Sequence, residues 1–405
     1  RKNRITAAST QIDVKTAKAA MFPSLSFSTG QQVVNRPYQE TSSRVSGSEI
    51  ISSNSKTSYN GNYGLNASWT LYNGNKRLKT IQQEKLNNQM AELDVATSEN
   101  NIQESIAQVY IQILYAAESV KVNENTLQVS IAQRDRGQEL LNAGSIAKSD
   151  LAQLEAQVST DRYQLVTAQA TLEDYKLQLK QLLELDGENE MNIYLPTLSD
   201  ENVLAPLPTK RDVYISALSL RPEIEASKLN VEASELGINI AKSSYFPTIS
   251  LSAGIGTNHT SGSDFTFGEQ VKNGWNNSIG LSVSVPIFNN RQTKSAVQKA
   301  KLQYETSMLS LLDEQKALYK TIESLWLDAN SAQQRYAAAN EKLKSTQISY
   351  ELISEQFNLG MKNTVELLTE KNNLLQAQQE QLQAKYMAIL NTQLLKFYQG
   401  DQLAL

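Results

Sequence analysis

The chain has 405 residues, with 38 Lys+Arg against 42 Asp+Glu for a net charge of −4, a balance that offers no basic footprint for nucleic acid. It has no cysteine and one histidine, His259. Disulfides, thiol nucleophiles and Cys-metal sites are thereby excluded and most metal and general-base chemistry goes with them, so neither an enzyme nor a cofactor is expected.

Only 8 prolines and 17 glycines are present, and Gln, Asn, Ser, Ala and Leu dominate long stretches, a mixture that suits long water-facing helices. No run of about 18 apolar residues could cross a membrane as a helix. That test does not see a β-barrel, whose lipid face occupies alternate residues.

In chain order, a first helix leads into Ala17-Lys18-Ala19-Ala20-Met21-Phe22-Pro23-Ser24-Leu25-Ser26 and a strand at about 23–34, in which Leu25, Phe27 and Val33 alternate with Ser24, Ser26, Ser28 and Gly30. A polar loop, 35–58, separates it from a second strand at about 59–72. There Tyr59, Gly61, Tyr63, Leu65, Ala67, Trp69 and Leu71 share one face, and Asn60, Asn62, Gly64, Asn66, Ser68 and Thr70 the other. Long helices follow at about 76–142 and 149–184; the first has no proline and one glycine, Gly137, and would run for about 100 Å. Ile102, Ile106, Val109 and Ile113 begin a spacing of four and three. After the turn, Leu151, Leu154, Val158, Asp161, Leu165, Ala168, Leu172, Tyr175, Leu179 and Leu182 continue it, a coiled-coil seam with Asp161 as its one polar intruder. A segment at 186–210, rich in proline (Pro196, Pro206, Pro208), ends the first half.

The second half restates the first. Ala241-Lys242-Ser243-Ser244-Tyr245-Phe246-Pro247-Thr248-Ile249-Ser250 echoes the Phe22-Pro23 segment, Val285-Pro286-Ile287-Phe288-Asn289-Asn290-Arg291 echoes Trp69-Thr70-Leu71-Tyr72-Asn73-Gly74-Asn75, and Asn358-Leu359-Gly360 echoes Asn142-Ala143-Gly144. Two repeats, 1–210 and 211–405, are therefore expected, each helix, strand, loop, strand, long helix, turn, long helix. The second repeat places strands at about 247–258 and 275–288 and long helices at about 291–358 and 364–398. Leu311, Leu318, Ile322, Leu325, Ala329 and Tyr336, then Leu368, Leu375, Leu382 and Ile389, carry their apolar stripes. His259, in the Gly/Ser/Thr-rich loop 258–274, is expected to be exposed and inert; Trp69 and Trp275 fit an interfacial belt, and Trp326 a place in the core.

Alternating strands fit an ordinary sheet over a soluble core, and the helices alone fit a coiled-coil spacer, so a soluble structural or filament protein is the alternative reading. Small, polar, uncharged partners on the second face suit water inside and lipid outside. Four strands cannot close a barrel, about eight being the smallest that spans, and open edges are not tolerated in lipid. If the strands span a membrane, the chain must oligomerise and share one barrel.

The turns and strand ends bring a family into view. Asn142-Ala143-Gly144-Ser145-Ile146-Ala147-Lys148-Ser149-Asp150-Leu151 resembles the first hairpin tip of TolC-type outer-membrane factors, and Asn358-Leu359-Gly360-Met361-Lys362-Asn363-Thr364-Val365-Glu366-Leu367-Leu368 the second. Leu220-Arg221-Pro222-Glu223-Ile224 is similar to the family's Arg-Pro-Glu segment, and Val283-Ser284-Val285-Pro286-Ile287-Phe288 to its last membrane strand. The resemblance runs in order over nearly the whole chain.

It implies an α+β membrane protein of the Gram-negative outer membrane: a homotrimer with a twelve-stranded β-barrel, four strands per protomer, continued by a long periplasmic α-helical coiled-coil barrel, with 186–210 in an equatorial belt. It implies a passive channel of a tripartite efflux or type I secretion system. Its partners would be outer-membrane lipid, a periplasmic adaptor met by the tips at Ala143, Gly144, Ser145, Leu359, Gly360 and Met361, and an inner-membrane pump of RND or ABC type. In the family, polar links shut the periplasmic end. Matching the tips places Ser149 at the hydroxyl, Asp150 at the carboxylate and Lys362 at a position usually held by arginine. Phe357 falls on a tyrosine position, where it cannot donate a hydrogen bond. Glu366 matches an acidic ring facing the pore, and Thr369 the next acidic position.

Overall fold

The computed structural model describes residues 1–38, 42–46, 49–53, 56–185, 193–194, 196, 203–263 and 265–403, the segments 42–46 and 49–53 by their backbone alone. Its elements in order are α1 (Lys2–Ala19), β1 (Ser24–Asn35), β2 (Ser42–Ser46), β3 (Glu49–Ser53), β4 (Thr57–Asn73), α2 (Lys76–Asn142), α3 (Lys148–Leu182), α4 (Lys210–Leu220), α5 (Pro222–Lys242), β5 (Thr248–Thr260), α6 (Phe267–Asn273), β6 (Asn276–Ser284), α7 (Gln292–Asn358) and α8 (Thr364–Gln399).

The four longer strands form one antiparallel sheet in the order β1-β4-β5-β6. Because side chains alternate with period two, the register sorts them by face. Ser24, Ser68, Ser252 and Gly280 stand in one cross-strand row, and Leu25, Ala67, Ala253 and Ile279 in the next. β4 slips register between Thr70 and Tyr72, so Leu71 is the extra residue of a bulge rather than a regular member of the apolar face.

Four sequence expectations are corrected here. The segment 35–58 carries a small antiparallel hairpin, β2–β3, and 258–274 carries the short helix α6, where the sequence alone predicts plain loops. α6 starts because Thr266 and Glu269 form a reciprocal capping box. The last strand stops at Ser284 rather than near 288, as Pro286 has no N–H to give a ladder. His259 lies in β5 opposite Gly61, half-buried, its ring stacked on Tyr63 at 5.9 Å and edge-on to Phe267 at 5.1 Å. The polar run around it suggested a loop, but the alternation continues through it. The segment 186–210 lies largely outside the described residues.

The chain forms two compact units, Arg1–Leu93 with Ala226–Leu311 and Asp94–Glu225 with Leu312–Leu405. The first holds the sheet. Its helix–strand junction is pinned where Trp69 Nε1 donates to Met21 O at 2.8 Å and Arg77 Nη1 to Ala20 O at 2.9 Å. The second is a helical core. Val213 and Ala217 of α4 pack with Ile322 and Ala329 of α7 and Leu395 of α8, and Ile111 and Leu114 of α2 pack with Tyr386, Leu390 and Leu394 of α8. Each such aliphatic side chain contributes about 1.5–3 kcal/mol. Trp326 is half-buried and donates to Pro208 O at 3.0 Å.

The seam on α3 is as spaced: Leu151, Leu154, Val158, Asp161 and Leu179 are buried. On α8 the buried stripe runs through Thr364, Leu367, Lys371, Leu374 and Ala377, one position away from the sevenfold Leu368 and Leu375, which are half-buried. A 3.6-residue helix drifts against a strict repeat of seven. On α2, Ile102 is exposed while Ile113 is buried.

Candidate functional site

The sheet has two chemically opposite faces, and among the described residues the apolar one is open on the outer strands β1 and β6 and partly covered on β4 and β5. On the apolar face, Leu25, Phe27, Ile279, Leu281 and Val283 are between 59% and 79% exposed. In a soluble sheet those side chains would be the core, because each left in water forfeits about 1.5–3 kcal/mol. From Tyr63 to Tyr72 this band runs about 30 Å along the strand, or roughly 23 Å tall once strands tilt by ~40°, the height of an outward-facing spanning band. Trp69 and Tyr72 lie at one end and Tyr59 and Tyr63 at the other, as interfacial girdles require. The opposite face carries only hydroxyls, carboxamides and glycine through the same rows. Among the described residues β1 and β6 each pair on one side only, so the sheet ends in two open edges.

The helical hairpins end in two turns of the same construction. At the first, Gly144 has φ +75°, Ser145 N donates to Leu140 O at 2.8 Å and Gly144 N to Leu141 O at 2.9 Å. At the second, Gly360 also has φ +75°, with Met361 N to Gln356 O at 2.8 Å and Gly360 N to Phe357 O at 2.9 Å. This is the Schellman arrangement, in which a left-handed residue closes the last carbonyls. Ala143, Gly144, Ser145, Leu359, Gly360 and Met361 are all exposed. The two glycines stand 216 residues apart, as do two further left-handed pairs, Gly74-Asn75 and Asn290-Arg291.

Beside these turns the expected gate residues take the following places. Asp150 accepts from Ala147 N at 3.0 Å and Ser149 is exposed. Phe357 is buried. Glu366 accepts from Asn363 N at 3.2 Å while Asn363 Oδ1 accepts from Glu366 N at 2.9 Å, a complete capping box. Lys362 Nζ is 2.6 Å from Glu366 Oε1. That bond, then the Asn363 amide, holds the Glu366 carboxyl below its ordinary 4.5. Thr369 is exposed and donates to Val365 O. Within one protomer, then, Asp150 and Lys362 each bond inside their own turn.

A buried polar cluster lies deeper in the same unit. Lys371 donates to Asp161 and to Ser130, and Ser130 donates to Asp161, joining α8, α3 and α2. Gln157 completes the carboxylate at 2.9 Å. The seam spacing singled out Asp161; its partners were missed, although Lys371 falls on the buried 364-367-371-374 step. A second buried charge, Arg221, donates to Glu223 at 2.7 Å and Glu104 at 3.1 Å and lies 4.2 Å over the Tyr398 ring. That accounts for the Arg221-Pro222-Glu223 run: Pro222 opens α5, where its missing N–H costs nothing, and the flanking pair bonds across it. No cluster of His, Cys, Asp and Glu able to hold a metal occurs among the described residues.

Residues 2–184 and 213–400 match the model of the family described as outer membrane efflux protein. The chain belongs to this family. Its members are outer-membrane channel proteins, not enzymes. Among relatives of the family, the outer membrane efflux protein BepC of Brucella suis is 24% identical over 294 residues, 72% of this chain and 61% of that protein. The outer membrane protein TolC of Escherichia coli is 24% identical over 296 residues, 70% of this chain and 58% of that protein. The aligned chain thus spans about three-fifths of the length of these two relatives. The crystal structure of the family member CusC superposes with a TM-score of 0.82 at 19% identity, covering 99% of this chain and 89% of that one, which shows a shared fold.

Proposed function

We propose that this chain is a protomer of an outer-membrane channel that passively conducts substrates out of the cell, as the exit duct of a tripartite efflux or type I secretion system. One observation carries the reading: a four-stranded sheet with an apolar band of membrane height, open on its outer strands, an uncharged polar reverse face and two open edges. Such a sheet is stable in lipid only if copies close it into a barrel. Two copies would give eight strands and three would give twelve; three rests on the resemblance to TolC-type factors. The helices would continue the pore into the periplasm, and the chain would hold two copies of one ancestral unit, 1–210 and 211–405.

The exposed turns around Gly144 and Gly360 would meet the periplasmic adaptor, which couples the channel to an RND or ABC pump in the inner membrane. Ser149, Asp150, Phe357, Lys362, Glu366 and Thr369 would line the periplasmic constriction, with Glu366 facing the pore. Energy comes from the pump, so no cofactor is called for here.

A soluble filament leaves the apolar band unexplained. Membrane fractionation followed by native mass measurement in detergent decides between them. The channel predicts outer-membrane recovery and three protomer masses; a monomer that stays in plain buffer without binding lipid would end the proposal.

A further inference from the structure

Charge around the sheet is uneven between its two ends. β1, β4, β5 and β6 themselves contain no Asp, Glu, Lys or Arg. Their register brings the start of β1, the end of β4, the start of β5 and the end of β6 to one end of the sheet, where α1, α2, α5 and α7 join them. The junction segments there, 14–23, 74–83, 236–247 and 285–304, hold ten basic residues and no acidic one. The segments beyond the opposite end, 36–56 and 261–275, hold four of each. Arg77 and Lys79 are spent inside the junction, on the carbonyls of Ala20 and Asn239. Lys15, Lys18, Lys76, Lys242, Arg291 and Lys294 are exposed, and none bonds to a carboxylate among the described residues. Exposed aromatics stand between these cations and the apolar band. Phe22 lies four residues after Lys18, Phe246 four after Lys242 and Phe288 three before Arg291, at 73%, 51% and 84% exposure.

From this arrangement we infer that the basic collar binds the headgroup phosphates of anionic phospholipid in the leaflet facing the periplasm, and so fixes the depth at which the barrel sits. The inference rests on the barrel reading above. A ring at the edge of an apolar band, with a long cationic side chain one step outward, matches the layering of a membrane surface: the ring lies among the headgroups and the ammonium among the phosphates. Helix stabilisation does not account for these charges. Lys18 and Lys242 suit the last turns of α1 and α5. Lys76, Arg291 and Lys294 instead crowd the starts of α2 and α7, which have no acidic residue in the first turn, and there the helix dipole disfavours a cation. Nor does a second copy neutralise them at this level. Closing β6 of one protomer on β1 of the next brings two all-basic collars side by side, so the counter-charge comes from outside the protein. A lipid surface supplies it in the right plane, and each Lys or Arg near an anionic surface strengthens binding by about fivefold.

The test measures, by native mass measurement, the lipid retained by the detergent-purified oligomer when phosphatidylglycerol and phosphatidylcholine of the same chains are offered in equal amounts. The parent should retain the anionic lipid over the zwitterionic one by about fivefold or more, and the preference should shrink as salt rises. Lys15→Gln, Lys18→Gln, Lys242→Gln and Lys294→Gln together should bring the ratio close to unity. Arg36→Gln with Lys272→Gln, at the opposite end, should leave it unchanged. All six side chains are exposed, and heat-modifiable mobility on gels checks that each oligomer is assembled. Should the quadruple variant fail to assemble, the salt series on the parent decides. Equal retention of the two lipids by the parent, a preference indifferent to salt, an assembled quadruple variant that keeps the parent's ratio, or an equal loss in the Arg36→Gln, Lys272→Gln protein overturns the collar while leaving the barrel standing. So does displacement of the bound lipid by inorganic phosphate at matched concentration, which would assign the collar to a soluble anion. A chain that stays monomeric in plain buffer and retains neither lipid overturns the barrel reading itself and this inference with it.

Discussion

Lys371 on α8 and Asp161 on α3 form an ion pair with only 3% and 2% of their side chains exposed, inside a seam that is otherwise aliphatic. Taking two charges out of water is costly, and their attraction offsets that cost only when every remaining donor and acceptor is met; Ser130 and Gln157 meet Asp161's here. Burial pulls Lys371 below its ordinary 10.5, with Asp161 opposing. Lys371→Leu alone leaves a buried carboxylate and should cost about 3–5 kcal/mol, while the Asp161→Leu, Lys371→Leu pair should cost much less. The check is a double-mutant cycle on the unfolding midpoint in detergent. A loss in the double variant equal to the sum of the two single losses would show that the charges are not coupled.

That pair marks how far the sequence could be read. The strands were legible because period-two alternation of Leu, Ile, Tyr and Trp against Ser, Asn and Gly survives without knowledge of any partner. The long helices were legible from the missing prolines, and the turns from Asn-Ala-Gly and Asn-Leu-Gly. Asp161 announced itself as a break in a regular seam. Lys371 did not, because α8 touches more than one helix and its stripe drifts from the leucine heptads, so pairing across 210 residues has no local signature. The extra elements, β2–β3 and α6, were hidden for the opposite reason: each is five to seven residues long with one or two apolar side chains (Val45; Ile50 and Ile51; Phe267 and Val271), too few to show a period, and only the capping pair Thr266 and Glu269 hinted at a helix start.

Gly61 sits opposite His259 because nothing larger fits. A Cβ there would overlap the His259 ring and approach Gln31 Oε1 at 2.7 Å. Gly61→Ala should therefore lower the yield of folded oligomer, by on the order of the 1–3 kcal/mol of an overpacked site. Gly61→Ala with His259→Ala should recover it. Heat-modifiable mobility on gels reads both, and a double variant no better than the single would locate the defect elsewhere.

Gly360 combines φ +75° with open space, since a built Cβ meets nothing within 4 Å. A substitution there strains the backbone by about 1–2 kcal/mol but collides with no part of the protomer. Gly360→Trp should leave the oligomer assembled and in the outer membrane, yet abolish efflux by blocking the proposed adaptor contact. Normal drug resistance in cells carrying that variant would count against the contact.

Lys362 neutralises Glu366 within its own turn at 2.6 Å, which makes the proposed acidic ring weaker than a bare carboxylate. Trivalent cations added on the periplasmic side should reduce single-channel conductance through this ring. Glu366→Ala should remove the block, and Lys362→Ala should strengthen it by exposing the charge. A block unaltered by either variant, measured in planar bilayers, would place the constriction at other residues.

Tyr398 provides an alkaline probe of the Arg221 cluster. Burial, then the nearby carboxylates Glu104 and Glu223, push its hydroxyl up to about 12 from 10.0, against the pull of Arg221. A folded-state value above the unfolded one means the native protein holds this proton more tightly. The contribution, about 2–3 kcal/mol, is therefore present in full below pH ~10 and is lost as pH rises from ~10 to ~12. Tyr110, Tyr115 and Tyr350 are raised in the same direction, so Tyr398→Phe should shallow the alkaline loss of stability rather than abolish it. Arg221→Lys should act in the other sense. A lysine cannot fork to Glu104 and Glu223 together, so the pair of carboxylates is left under-satisfied and the protein should be less stable already at neutral pH. Unfolding midpoints from pH 7 to 12 for the three proteins separate these effects. An alkaline slope identical in the parent and in Tyr398→Phe would show that this tyrosine does not carry the linkage.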